Sequence, residues 1–220
     1  MHEISIKSDV LADNTLAAHH NREHLHEHRV YALNLMSGPG AGKTTLLERT
    51  IAALKDRYRL AVIEGDVQGR ADAERIGRCG VPVTQINTGH ACHLDARLVQ
   101  RELHAFPLAE LDVLLIENVG NLVCPAEFDL GEHDKAMVLS VTEGHDKPDK
   151  YPVMFHVARA LVLSKLDLLP HVDFDVERAT RAARALNLDL EVFQVSAKTG
   201  AGLDAWLCWL EGRIARVKGG

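Results

Sequence analysis

From Val30 onward the chain alternates short apolar runs with longer amphipathic ones. "VYALNLM" (30–36) predicts a strand that ends in a glycine-rich turn, and "KTTLLERTIAALKDR" (43–57) carries Leu46, Leu47, Ile51 and Leu54 at helical spacing. Further strands are expected near "RLAVIEG", "VPVTQIN", "DVLLIEN", "AMVLSV", "ALVLSK" and "LEVFQVS", with helices near 70–78, 94–105, 175–187 and 202–216. Strands that are apolar on both faces and separated by helices predict an α/β fold, three-layered, with a mostly parallel sheet covered on both sides. In such sheets ligands bind at the carboxyl ends of the strands, so the loops that follow them are where chemistry is expected.

Upstream of this pattern, residues 1–29 read as an N-terminal arm with one short helix, followed by a single domain over 30–220. Five of the thirteen histidines (His19, His20, His24, His26, His28) crowd into "AAHHNREHLHEH". Because Arg22, Glu23 and Glu27 interrupt them, the segment reads as a helix with histidines on its solvated face rather than a metal-collecting tract, with Leu16, Leu25 and the alanines as a modest apolar stripe. A formal net charge of −6 argues against nucleic acid as a partner. No apolar run approaches bilayer-spanning length, and the N-terminus has no signal-peptide core. Four cysteines in 220 residues make no disulfide framework, so the expected setting is the cytoplasm, with reduced thiols.

"SGPGAGKTT" (37–45) follows the first strand and opens the first helix, the context a P-loop requires. Gly38, Gly40, Ala41 and Gly42 allow backbone N–H groups to converge on phosphate oxygens. Lys43 reaches toward the β- and γ-phosphates, and Thr44, followed by Thr45, suits Mg²⁺. Ser37 stands where the strict pattern has glycine. Two later strand ends resemble the base-reading loops of G proteins: "SKLD" (164–167) and "SAK" (196–198). The Asp167 carboxylate can accept from the two adjacent donors on the guanine edge, which adenine lacks, so GTP is expected over ATP. The Lys165 stem would lie along the purine, and Ser196, Ala197 and Lys198 would face the base oxygen. Ser164 replaces the usual Asn, a change expected to loosen that loop or weaken one base contact.

Acids end two further strands. Glu117, with Gly120 three residues on, sits where an Asp-x-x-Gly loop senses the γ-phosphate; Asp66, in "VIEGD", is a candidate for Mg²⁺ or the attacking water. Asp72 is a second candidate for either role. Lys43, Asp66 and Glu117 are therefore the expected catalytic set, and Thr44, Asp66 and Glu117 the expected Mg²⁺ ligands.

Cys92 and His93 are adjacent, close to the expected start of a helix, where the thiol pKa should fall. Cys124 follows shortly after the Glu117 loop. Two thiolates and an imidazole suit Ni²⁺ or Zn²⁺, with one ligand missing that water, another side chain or a second subunit must supply. Spacing alone leaves this reading and that of buried structural thiols equally open. Cys79 and Cys208 are expected to serve packing.

Taken in order, "NLMSGPGAGKTTLLE", "EGDVQGRADAERI", "CHLDA", "ENVGNLVCPAEFDLGE", "VTEGHDKPDKYPVMF", "SKLDLLP" and "SAKTGAGLDAW" resemble the HypB family, the nickel-incorporation GTPases of hydrogenase maturation, over residues 30 to about 210. The resemblance implies a G domain of the metal-insertion branch of P-loop GTPases. It also implies GTP-linked homodimerisation, a nickel or zinc site at Cys92, His93 and Cys124, and work alongside HypA and the hydrogenase large subunit. The alternatives are a urease-maturation GTPase of the UreG kind and a nickel storage or sensing protein. UreG proteins space thiol and imidazole as Cys-Pro-His, whereas here the two are adjacent. No cysteine precedes Cys79, so the N-terminal cysteine nickel motif of some HypB proteins is expected to be absent.

Overall fold

The computed structural model describes residues 6–89 and 91–219. The first five residues of the expected N-terminal arm and the last residue of the expected G domain lie outside them. The order is α1 (Ile6–Glu27), β1 (Tyr31–Ser37), α2 (Lys43–Leu54), β2 (Leu60–Asp66), α3 (Ala71–Gly77), β3 (Val83–Asn87), α4 (Ala96–Leu103), β4 (Val113–Glu117), α5 (Cys124–Glu127), β5 (Asp134–Ser140), α6 (Lys147–Lys150), α7 (Pro152–Val157), β6 (Ala160–Ser164), α8 (Val176–Leu186), β7 (Glu191–Gln194) and α9 (Leu203–Gly219).

The seven strands form one parallel sheet in the order β3-β2-β4-β1-β5-β6-β7. The chain winds outward from β1 to one edge and then to the other, which places the end of β1 at the topological switch point where α/β sheets bind ligands. Alternation along β1 separates the layers. Leu33 and Leu35 pack against Leu46, Leu47 and Ile51 of α2 and Trp206, Leu210 and Ile214 of α9, whereas Ala32 faces the layer of Val99 and Leu103 on α4. Met36 joins a third cluster with Phe155 and Ala179, under α7 and α8. Sequence periodicity thus identified the α/β, three-layer, parallel architecture.

Three expectations require correction. The helix of the N-terminal arm is not short but 22 residues long, and it docks on α4. The Asn14 amide donates to the Asp129 carbonyl while its oxygen accepts from the Ala96 N–H; the Asn21 amide donates to the carbonyls of Ala96 and Leu130 at 2.8 and 2.9 Å. Leu25 is buried and Leu16 is exposed, because Ala17 and Ala18 rather than Leu16 meet α4. Cys208 is exposed, since the core face of α9 is the Leu203–Trp206–Leu210–Ile214 stripe and residue 208 falls opposite it; Cys79 does pack against the core. Lastly, α4 begins at Ala96, capped by Asp95, whose carboxylate accepts from the Leu98 N–H. Cys92 therefore lies in the preceding loop and not at the helix N-terminus where it was expected.

Candidate nucleotide and metal site

The P-loop joins β1 to α2 through Gly42, whose φ of 98° is a left-handed conformation that a side chain would strain. Lys43 is buried and donates to the Ser37 hydroxyl at 2.9 Å. Burial lowers its pKa, while the charges of Glu117, Asp72, Glu143 and Glu64 oppose that shift. The serine that departs from the strict pattern thus holds the lysine head group at the strand end.

A cleft of about 350 Å³ opens beside this loop, lined by Gly40, Lys43, Glu64, Asp66, Asp72, Glu117 and Gly120 among others. The structure therefore brings Lys43, Asp66 and Glu117 to one place. Thr44 Oγ1 donates to Glu117 Oε1 at 2.8 Å, while Oε2 of Glu117 and Oε2 of Glu64 are buried without a hydrogen-bond partner among the described residues. Burial, then the Glu117 charge, raises the Glu64 carboxyl to about 8; burial raises Glu117 to about 7 against the pull of Lys43 and Thr44. Two buried, under-coordinated carboxylates beside a threonine hydroxyl are the hard oxygen set that a small divalent cation takes. Glu64 was not among the expected ligands. Its only sequence signal was its place in "VIEGD", two residues before Asp66. Gly120 comes so close to the P-loop that an added Cβ would stand 3.0 Å from Pro39 Cα, which ties this loop to the phosphate site.

The residues expected to read the base converge on the other side of the P-loop. Gly42, Thr45, Lys165, Asp167, Ala197 and Lys198 share a pocket of about 220 Å³. Ser196 turns its hydroxyl to Asp167 at 2.6 Å, which fixes the carboxylate and lowers its pKa. Thr45 also accepts from the Arg75 guanidinium at 3.1 Å. Lys165 holds a left-handed backbone (φ 57°), and its amine reaches the Gly40 carbonyl at 2.6 Å. Ser164, expected to loosen this loop, instead donates to the Ala41 carbonyl at 2.6 Å and so bonds the base loop directly to the phosphate loop. Glu143, which sequence reasoning did not single out, sets its carboxylate over Gly38 and accepts from the Ser140 N–H at 2.8 Å. Here the charged, proline-bearing stretch after β5 meets the P-loop.

Cys92, His93 and Cys124 also come together: one potential ligand atom from each lies within 4.8 Å of the others. The two Sγ atoms are 2.7 Å apart, and His93 Nδ1 is 3.7 Å from Cys92 Sγ. The facing Cys92 thiol and burial push Cys124 up to about 11; burial pushes His93 down, which favours its neutral, ligating form. Phe128 stacks on the His93 ring at 3.9 Å. Asn118 joins this cluster to the nucleotide cleft. Next to Glu117, its side-chain oxygen accepts from the Leu94 N–H at 3.1 Å, and its amide donates to Asn34 at 3.2 Å.

The fold and the two pockets define a P-loop nucleotide-binding domain in which Asn118, next to Glu117, is hydrogen-bonded to Leu94, the residue after the Cys92–His93 pair. The family model "CobW/HypB/UreG, nucleotide-binding domain" matches residues 32–194. The chain is 54% identical over 208 residues to a hydrogenase maturation factor HypB of Azotobacter vinelandii, covering 94% of this chain and 69% of that one. A crystal structure of HypB from Helicobacter pylori in complex with nickel superposes with a TM-score of 0.88 at 38% identity, covering 93% of this chain and 96% of that one. The signal recognition particle receptor FtsY of Elizabethkingia anophelis shares the fold alone, at a TM-score of 0.56 and 16% identity over 79% of this chain and 64% of that one. The chain therefore belongs to the HypB branch of the CobW/HypB/UreG family.

Proposed function

We propose that the protein is a GTP-hydrolysing nickel metallochaperone that supplies nickel during the maturation of [NiFe]-hydrogenase. The observation that carries this reading is the bonded path from Glu117 through Asn118 to the loop of Cys92 and His93, because it joins the element that senses a γ-phosphate to the residues that would hold the cargo metal. Asp167, held by Ser196, selects guanine, and Lys43 neutralises phosphate charge. Thr44, Glu117, Asp66 and Glu64 would hold Mg²⁺, which neutralises developing phosphate charge when bound. Asp66 is the candidate for orienting the attacking water.

Cys92, His93 and Cys124 take Ni²⁺, with Zn²⁺ as the competing borderline ion. Three ligands leave one position over, and Val123, exposed beside Cys124, favours a two-fold homodimer as its source. HypA-type accessory proteins and the hydrogenase large subunit are the corresponding partners, and the cytoplasm the setting. No helix among the described residues is long and apolar enough to cross a membrane.

The test measures Ni²⁺ and Zn²⁺ binding together with oligomeric state, under GDP and under a non-hydrolysable GTP analogue. Wild type should bind Ni²⁺ with nucleotide-dependent affinity, and Cys92→Ala should lose that component. Lys43→Ala should lose GTP turnover by two orders of magnitude or more. Unchanged turnover in Lys43→Ala would refute the enzyme reading.

A further inference from the structure

α1 and α4 run in parallel. Asp13 pairs with Arg97 at 2.6 Å near their beginnings, and His24 meets His104 near their ends, with ring centroids 5.5 Å apart. At that end His20 and His24 stand four residues apart on one face of α1, His28 follows in the turn just past its last residue, and His104 caps α4. The rings form a connected group: His20–His24 at 6.2 Å, His24–His28 at 5.1 Å, His20–His104 at 6.3 Å and His24–His104 at 5.5 Å. The other two histidines of the segment stand apart, His19 paired with Glu23 and His26 exposed. The expectation of a solvated histidine face thus holds for His19, His20 and His26, while His24 and His28 are half-buried; His104 on α4 is exposed.

We propose that His20, His24, His28 and His104 form a second metal site, distinct from the Cys92–His93–Cys124 cluster, that takes a borderline divalent cation such as Ni²⁺ or Zn²⁺ through imidazole nitrogens.

An i, i+4 histidine pair on a helix presents both rings to one ion; His20 and His24 make such a pair, and His28 in the following turn brings its ring to 5.1 Å from that of His24. With metal–nitrogen bonds of about 2.0 to 2.1 Å, rings sharing one ion lie about 5 Å apart between centroids, close to the 5.1 to 6.3 Å observed here. Both helices direct their C-terminal ends, the negative poles of their dipoles, at this spot, which favours a cation. Burial, followed by the neighbouring His28, His104 and His20, holds His24 below its ordinary pKa, leaving an unprotonated ligand. No apolar contact or interhelical hydrogen bond needs four imidazoles here, because the docking of α1 rests on Asn14, Asn21 and Leu25. The two clusters flank the eight-residue α4, so about 12 Å of helix separates them.

Equilibrium dialysis with Ni²⁺ alone, and separately with Zn²⁺ alone, tests this in a Cys92→Ala, Cys124→Ala background that removes the thiol site. That background should keep one ion per chain. Its Co²⁺ form should show d–d absorption without thiolate charge transfer. Adding His24→Ala should remove the ion, and adding His104→Asn should weaken it at least tenfold. His19→Ala with His26→Ala should change affinity less than twofold. The cation should raise Tm in the background but not in the His104→Asn form, because only a bridge between α1 and α4 adds stability. Guanine-nucleotide binding serves as the folding control. Loss of all metal from the background, an unchanged affinity in His104→Asn, or equal weakening by the His19 and His26 changes would each overturn the site.

Discussion

At the scale of single residues, the acids of the phosphate cleft make a prediction about pH. Glu64 and Glu117 titrate near 8 and 7, against 4.5 for an ordinary glutamate, chiefly because they are buried. The folded chain therefore holds these protons where the unfolded chain has released them. Their contribution to stability is full below about pH 4.5 and is lost as pH rises through 7 and 8, with a slope of at most about 1.4 kcal/mol per pH unit for each retained proton. We expect the ligand-free protein to lose stability between about pH 6 and pH 8 more steeply than Glu64→Gln does, as read from urea midpoints. Mg²⁺ with a GTP analogue should flatten the difference, because the cation takes the place of the protons. A wild-type slope no steeper than that of Glu64→Gln would refute the assignment. Ser164 gives a second test. Removing its bond to Ala41 in Ser164→Ala should weaken GTP binding by about 1 kcal/mol, close to fivefold, as read by nucleotide titration.

At the scale of elements, what was legible in the sequence and what was not divide along physical lines. The P-loop and the strand-end acids were legible because a phosphate is cradled by consecutive backbone groups, so the chemistry is written in adjacent residues. The thiol pair was half legible: Cys92 and Cys124 stand 32 residues apart, and only the fold brings them face to face. The parts played by Ser164, Asn118 and His104 were not legible, since each acts through a partner on another element, 123 residues away for Ser164. The same holds for α1, whose docking depends on asparagines that leave no trace in a hydrophobic period. Asn21 carries two of those bonds, but its buried side-chain oxygen has no partner, which lowers its net worth. Asn21→Ala should therefore destabilise the protein by about 1 to 2 kcal/mol, and denaturant titration should detect this as a lower midpoint at unchanged slope. An unchanged midpoint would mean that α1 contributes nothing to the folded state.

At the scale of the whole molecule, the central question is whether nucleotide and nickel report on each other. Coupling requires that the metal bind the two nucleotide states with different free energies, and linkage makes the effect reciprocal. The Asn118 side chain gives a bonded path between the sites, running from the residue next to Glu117 to the backbone of the loop that carries Cys92 and His93. On the proposed reading, a change at Glu117 with bound γ-phosphate would act on one side of the thiol cluster, while Cys124 follows from the same loop on the other. We expect Ni²⁺ affinity to differ between GDP and a GTP analogue by about 5- to 150-fold, and Ni²⁺ to shift affinity for the analogue by the same factor. Asn118→Ala should keep both ligands but bring that factor toward one, because it frees Leu94 while leaving Lys43, Glu117, Cys92, His93 and Cys124 unchanged. Titrating each ligand in the presence and absence of the other, in wild type and variant, gives all four sides of the cycle. Equal Ni²⁺ curves under the two nucleotides would remove the coupling, and a factor unaltered by Asn118→Ala would move its path elsewhere, most directly to the dimer contact proposed at Val123.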